Sequence, residues 1–219
     1  MLMDYLQIVT GTLLAYLIGS IPTAVWVSKW IYGIDIREHG SGDASHTNIH
    51  RVLGRRTGIK VQIFDALKGL LAAELAYLFH RHYGVFSDIE YPLLMMTFGL
   101  AAVMGHIFPV LAGFRGGKGY HVSLGVLIAI HPLATAVFAV CSLVIYLLFR
   151  YPQLAYVAGG VALAIFVALR GKVVFGDLGL PMLLFSISLA MMLILTHREE
   201  LQRMALQRGF LIRGRRSRR

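Results

Sequence analysis

The chain is constrained most by a succession of apolar runs, at residues 5–31, 57–80, 91–111, 119–130, 132–149, 153–169 and 179–196. About 20 helical residues at 1.5 Å each cross a hydrocarbon core roughly 30 Å thick, and most of the runs reach or approach that length. A backbone group left unpaired in lipid is costly, so each run must satisfy its own hydrogen bonds. The runs lack the apolar–polar alternation of a barrel strand, which leaves helices. The expected fold is all-α: a polytopic membrane protein with about seven transmembrane helices, some of them short or broken. Six spans with a re-entrant piece is the alternative.

Composition agrees. Of 219 residues, 57% are hydrophobic and 15% charged, against about 25% charged in a typical soluble domain. No stretch is left for a separate soluble domain. Residues 1–197 are expected to form one integral-membrane domain, and 198–219 a basic tail. The first run has no basic residue ahead of it and no small-residue cleavage site, so it is expected to be a retained span. The fourth run is only about a dozen residues, ending at His131-Pro132, and the second carries Lys60, Asp65, Lys68 and Glu74. Neither is expected to be an ordinary lipid-facing span. The single cysteine, Cys141, allows no disulfide within one chain and no cysteine metal site, and is expected to be core or lipid-facing filler.

Orientation follows from the basic residues. With the N-terminus outside, Lys29, Arg37, Arg51, Arg55, Arg56, Lys60, Arg115, Lys118, Arg150 and the arginines from Arg198 to Arg219 fall inside. Arg81, Arg170 and Lys172 fall outside, and Lys68 lies within a span. The positive-inside rule selects this arrangement, in an inner membrane with the C-terminus in the cytoplasm. Much of the formal net charge of +10 sits in the last seven residues, where anionic headgroups attract it, so membrane lipids are the expected partners rather than nucleic acid. No internal repeat suggests the paired halves of a carrier.

Glycine and charge interrupt the apolar pattern at four places. In Gly19-Ser20-Ile21-Pro22-Thr23 the proline removes a backbone donor, and the small residues permit close helix approach. This fits kinked packing or, less directly, substrate contact. The loop 35–51 contains Gly40, Ser41, Gly42, Thr47, Asn48 and Arg51. Glycines at positive φ can turn N–H groups toward one point, with hydroxyl, amide and guanidinium donors beside them, which suits a phosphate oxygen. A capped polar loop has the same composition. In Phe114-Arg115-Gly116-Gly117-Lys118-Gly119 a glycine run with a lysine precedes the short fourth helix, whose N-terminal dipole end would face that loop. A plain positive-inside connection is equally compatible. Thr196-His197-Arg198 places a histidine at the inner end of the last span, able to hold phosphate, orient a hydroxyl, accept a proton or simply face water.

Taken together, these segments resemble the bacterial acyl-phosphate:glycerol-3-phosphate acyltransferases, the PlsY family. The resemblance runs nearly end to end, through Gly19-Ser20-Ile21-Pro22-Thr23, Asp35-Ile36-Arg37, Gly40-Ser41-Gly42, Thr47-Asn48, Arg51-Val52-Leu53-Gly54, Asp65-Ala66-Leu67-Lys68-Gly69, Gly105-His106-Ile107-Phe108-Pro109, Phe114 to Gly119 and His197-Arg198-Glu199. It implies a PlsY-like seven-helix fold and the transfer of a fatty acyl group from acyl phosphate to glycerol 3-phosphate, giving lysophosphatidic acid. No cofactor or metal is implied, and a monomer is expected. Ser41, Lys118 and His197 would take catalytic roles; Gly40, Gly42, Thr47, Asn48, Arg51, Gly116, Gly117 and Gly119 would bind substrate.

The departures fall in the same motifs. Asp43 stands where the family has asparagine, Ser45 where it has glycine and His46 where it has alanine. Tyr120-His121-Val122 replaces valine-alanine-threonine, Gln153 replaces a serine, and Glu200 replaces an asparagine. Asp43 and Glu200 bring negative charge toward a bound phosphate, so that repulsion would weaken the site or leave a carboxyl protonated. Altered specificity is therefore the expectation at Asp43, Ser45, His46, His121, Gln153 and Glu200. The alternatives are a diverged paralogue or hydrolase using carboxylate–histidine pairs, and a non-catalytic lipid-binding protein.

Overall fold

The computed structural model describes the backbone of residues 2–83 and 90–216, and the side chains of residues 5–81 and 91–206. Its α-helices are α1 (Leu2–Gly19), α2 (Thr23–Tyr32), α3 (His46–Leu53), α4 (Arg55–Tyr83), α5 (Glu90–Ile107), α6 (Tyr120–Ile130), α7 (Pro132–Phe149), α8 (Pro152–Phe175) and α9 (Gly179–Arg216). Short 3₁₀ turns lie at Ile36–Glu38, Val110–Ala112 and Gly176–Leu178, and no strand occurs among the described residues. Four stretches are long and apolar enough to cross a membrane: Tyr5–Tyr32, Tyr91–Ala112, Pro132–Phe149 and Pro152–Leu206, the last holding both α8 and α9. The chain is an all-helical membrane protein.

The first apolar run is broken rather than kinked. Pro22 cannot donate to the turn before it, so α1 ends at Gly19 and α2 starts at Thr23. Lys68, from α4, donates to the carbonyl of Ile21 at 2.8 Å inside this break. A Cβ at Gly19 would collide with the backbone of Ala102, and one at Gly105 with the carbonyl of Tyr16, so α1 and α5 touch through reciprocal glycines. Gly69 and Gly125 bring α4 and α6 together in the same way, against Val122 and Ala66.

The expectation for α4 is corrected in part. Ile63, Phe64, Leu67, Leu71 and Leu78 expose a continuous apolar face, while Asp65 and Lys68 are buried and paired at 3.0 Å. A helix in a bilayer can carry charge on its inner side while its outer side remains apolar. The short α6 meets the expectation, with Tyr120, Val122, Ser123, Gly125, Val126 and Leu127 all buried. Cys141 is half-buried on α7 and free. At the far end, the backbone of α9 continues without interruption through residue 198 to Arg216, so the expected boundary of the tail falls inside a helix. Residues 217–219 and the side chains from 207 onward, including the arginines of Arg213-Gly214-Arg215-Arg216-Ser217-Arg218-Arg219, lie outside the described residues.

Candidate functional site

The loop before α3 is organised around Asn48, which is 1% exposed. Its amide nitrogen donates to the carbonyls of Ile36, His39 and Asp43 at 3.1, 2.9 and 2.9 Å. Its oxygen accepts from the Ser41 N–H at 2.9 Å. An asparagine amide has two N–H donors, so those donors are fully engaged within the loop. Gly40, at φ 63°, stands where any Cβ would meet the Asn48 side chain.

The replaced residues of this loop have local work to do. Ser45 is the N-cap of α3, its hydroxyl accepting from the Asn48 N–H at 3.3 Å. The Asp43 carboxylate accepts from the Ser45 N–H at 3.0 Å and from the Ser41 hydroxyl at 3.1 Å. Burial pushes the Asp43 carboxyl up, but Lys118 and the Ser45 hydrogen bonds outweigh it and hold the group below its ordinary value. Asp43 is therefore ionised. Just upstream, the Arg37 guanidinium grips Asp35 at 2.8 Å and, against the opposing effect of burial, holds that carboxyl well below the usual carboxylate range. Arg37 also donates to the carbonyl of Ala112 at 2.7 Å, tying the loop to the segment after α5.

The glycine–lysine loop is fastened on three sides. Gly117 N–H donates to the carbonyl of His106 at 3.1 Å, Ala44 N–H to Gly116 at 3.3 Å, and the Thr196 hydroxyl to Lys118 at 3.1 Å. A side chain at Gly117 would run into the His106 ring, and Gly119 turns at φ 87° into α6. The loop thus bridges the Asn48 loop, the end of α5 and the polar end of α9. Its ammonium lies between two carboxylates: Lys118 Nζ is 3.1 Å from Asp43 Oδ2 and forms an ion pair with Glu200 Oε1. The Lys118 ammonium, expected from the sequence to meet phosphate, is met in this structure by two carboxylates, while Arg51 and Arg203 line the same cavity.

Three cavities meet here. The largest, about 940 Å³, runs between Ile59, Ala139, Leu143, Tyr146 and Ala155, with Arg55 and Arg150 also on its wall. A second, about 370 Å³, is lined by Ser41, Ser45, Arg51, Lys118, Gln153, Glu200 and Arg203. Between Lys118, His106, His121, Gln153 and His197 lies a small pocket of about 10 Å³. Thr47 lines all three. Ser41, Thr47, Arg51, Lys118 and His197 are therefore brought to one locus, with Lys118 common to the two polar cavities.

His197 does not face water. It is 2% exposed, with Nδ1 bonded to the carbonyl of Leu193 at 2.9 Å and its ring edge-on to Tyr156. That bond makes Nδ1 the protonated nitrogen, which leaves Nε2 as an acceptor. His46 Nε2 meets the Tyr156 hydroxyl at 2.9 Å and the Thr47 hydroxyl at 3.2 Å, and its ring packs edge-on against His121 with centroids 4.2 Å apart. Burial, reinforced by His121 and His50, pushes the His46 imidazole well below its ordinary value, so it is neutral. Among the described residues no group of three or more histidines, cysteines or carboxylates has the spacing to hold a metal ion.

Tyr156 and Arg203 were not anticipated, and Thr196 stood in the sequence only as the residue before His197. Tyr156 sits in an apolar helix, where a lone hydroxyl reads as packing. Arg203 lies three residues beyond Glu200, a helical neighbour spacing that was available as a signal.

The glycerol-3-phosphate acyltransferase family model matches residues 9–207. A glycerol-3-phosphate acyltransferase of Chlorobium limicola is 38% identical over 212 residues, covering 87% of this chain and 90% of that one. Its counterpart from Chlorobium phaeobacteroides is 34% identical with the same coverage. Among solved structures, the glycerol 3-phosphate form of PlsY, an integral membrane glycerol 3-phosphate acyltransferase, superposes with a TM-score of 0.76 at 32% identity, over 92% of this chain and 93% of that one. The lysophosphatidic acid form gives 0.73 at 31% identity, with the same coverage.

Proposed function

The chain belongs to the glycerol-3-phosphate acyltransferase family, and from that premise we propose that it moves a fatty acyl group from acyl phosphate to the sn-1 hydroxyl of glycerol 3-phosphate, releasing lysophosphatidic acid and inorganic phosphate. The supporting observation is Thr47, which borders the acyl-sized cavity and both polar ones, so that a carbonyl there has hydrocarbon on one side and cations on the other.

The acyl chain occupies the large cavity between α4, α7 and α8. Lys118, Arg51 and Ser41 receive the phosphoryl groups, and His197 Nε2 accepts from the attacking hydroxyl. The hydroxyl oxygen bonds to the acyl carbon, the carbon–oxygen bond to phosphate breaks, and phosphate leaves with the electron pair and takes the proton. Because acyl phosphate already carries a good leaving group, orientation and charge compensation supply the acceleration. The glycines Gly42, Gly116 and Gly119 allow close backbone approach. Asn48 acts by shaping the loop. The protein works as a monomer in the cytoplasmic membrane with its N-terminus outside, and α4 and α6 complete about seven spans.

The test is lysophosphatidic acid formation from acyl phosphate and labelled glycerol 3-phosphate by the purified protein in lipid. Lys118→Ala and Arg51→Ala should each lose at least about 100-fold, as removal of a transition-state donor does. A folded protein that makes no product overturns the proposal. A second reading, with water as acceptor, is favoured by the inner pocket of about 10 Å³, the size of one water molecule. It predicts free fatty acid in place of lysophosphatidic acid.

A further inference from the structure

Among the described residues Lys118 is the one cation lining both polar cavities, and in this structure two carboxylates already pair with it. The two carboxylates are not equivalent. Asp43 is fixed to its own loop by the Ser41 hydroxyl and the Ser45 N–H. Glu200 projects from α9 on a longer side chain, which among the described residues makes no ion pair other than that with Lys118. A phosphoryl group reaching Lys118 must therefore deal with Glu200, since Asp43 cannot leave without dismantling the Ser41–Ser45 network.

A second cation stands ready for the displaced carboxylate. Arg203 lines the same cavity as Glu200 and follows it by three residues, a spacing at which helical side chains meet. Its side chain is 73% exposed, and its recorded partner is Glu199 at 3.9 Å, a loose pair.

We infer that Glu200 is a specificity determinant: a built-in carboxylate that occupies Lys118 until a doubly charged phosphoryl group displaces it toward Arg203, and that singly charged anions fail to displace. The inference rests on the phosphate-binding reading of this site. A singly charged ligand carries no more charge than Glu200 and competes with a tethered rival, whose effective concentration is on the order of millimolar or above. A dianion engages Lys118 and Arg51 at once, with the retained Asp43 offsetting only part of the cationic charge. Glu200 thus gives the site a charge threshold that a neutral amide in its place would lack.

The experiment is calorimetric titration of the full-length protein in nanodiscs, without acyl donor, near pH 8. There inorganic phosphate is mostly dianionic, its relevant ionisation lying near pH 6–7 as for phosphate esters. The two probes are inorganic phosphate and the singly charged methanesulfonate. The wild type should bind phosphate and show no methanesulfonate binding. Glu200→Gln should tighten phosphate by about 5–30-fold, equivalent to about 1–2 kcal/mol, and admit methanesulfonate within about tenfold of phosphate. Arg203→Ala, which strands the displaced carboxylate, should weaken phosphate by about threefold or more. An unchanged phosphate-to-sulfonate ratio in Glu200→Gln, or weaker phosphate binding there, overturns the inference. Should Glu200→Gln not fold, Glu200→Asp, shorter but still charged, must keep the exclusion of methanesulfonate, and its loss would be equally fatal. No phosphate binding by either protein removes the inference together with the phosphate site. Absence of acyl transfer with the charge threshold intact removes only the proposed reaction.

Discussion

Replacing Lys68 with methionine removes one charge from a pair buried at the centre of the fold. Asp65 and Lys68 are 3% and 5% exposed, with oxygen and nitrogen 3.0 Å apart. At an effective dielectric constant of about 20 their attraction is about 5–6 kcal/mol, set against the cost of taking both ions out of water. Removing only the ammonium leaves Asp65 charged and buried, a change that costs about 3–5 kcal/mol. The carbonyl of Ile21 also loses its 2.8 Å donor in the α1–α2 break. Lys68→Met should therefore destabilise the protein by about 4 kcal/mol. Adding Asp65→Asn to it should restore at least about 2 kcal/mol, because the uncompensated charge is then gone. Cys141, the chain's single cysteine, is half-buried and free, so a thiol-reactive dye reports denaturant unfolding in lipid without further mutation. A loss below about 1 kcal/mol for Lys68→Met, or a double variant less stable than either single one, would refute the idea that this pair is held by mutual compensation.

Linkage gives His46 a sign. Its folded-state affinity for a proton is depressed, so the unfolded chain binds the proton more readily; its contribution is complete above the ordinary value of 6.5 and is lost as pH falls below it. His46→Gln should flatten the acid-side fall in unfolding free energy by up to about 1.4 kcal/mol per pH unit, and an unchanged profile between about pH 6.5 and 5 argues against this. Asp35, also depressed, makes its full contribution above its ordinary 3.8 and loses it progressively as pH falls below that, so Asp35→Asn should lower Tm at neutral pH, with the gap to wild type narrowing steadily as pH falls below 3.8. Gly69→Val and Gly125→Val force α4 from α6 at Val122 and Ala66 and should each cost about 1–3 kcal/mol, read with the same dye. Tyr156→Phe removes the hydroxyl on His46 and should lower kcat/KM by about tenfold, as loss of one buried hydrogen bond implies; an unaltered value would place Tyr156 outside the site.

Much of this molecule was legible because the solvent is hydrocarbon. Runs such as 132–149 have one physical solution, and α7 spans Pro132–Phe149 as expected. Pro22 marked a disturbance in the first run, but whether a proline kinks or breaks a helix depends on what rescues the freed carbonyl. Here the Ile18 carbonyl, which Pro22 cannot serve, accepts from the Ile21 N–H at 3.3 Å, and the Ile21 carbonyl in the break is met by Lys68, 47 residues away. The acyl-sized cavity was legible only as a general apolar sheath, because its walls come from α4, α7 and α8, whose mutual placement no local pattern encodes.

At the site, residue types were legible and pairings were not. Asp43 and Glu200 appeared in the sequence as charges that should repel phosphate, and a local pattern supports nothing more. In the fold both meet Lys118, and Asp43 also fastens Ser41 and Ser45, so the charge that looked like damage is part of the loop's own bonding. The two changes therefore cannot be equivalent under substitution. Removing Asp43 takes two hydrogen bonds from the loop that carries Ser41, whereas removing Glu200 takes only the partner of an ammonium that keeps another. Substitution of Asp43 should accordingly lower stability and catalysis together, and substitution of Glu200 should act on anion binding with the fold intact.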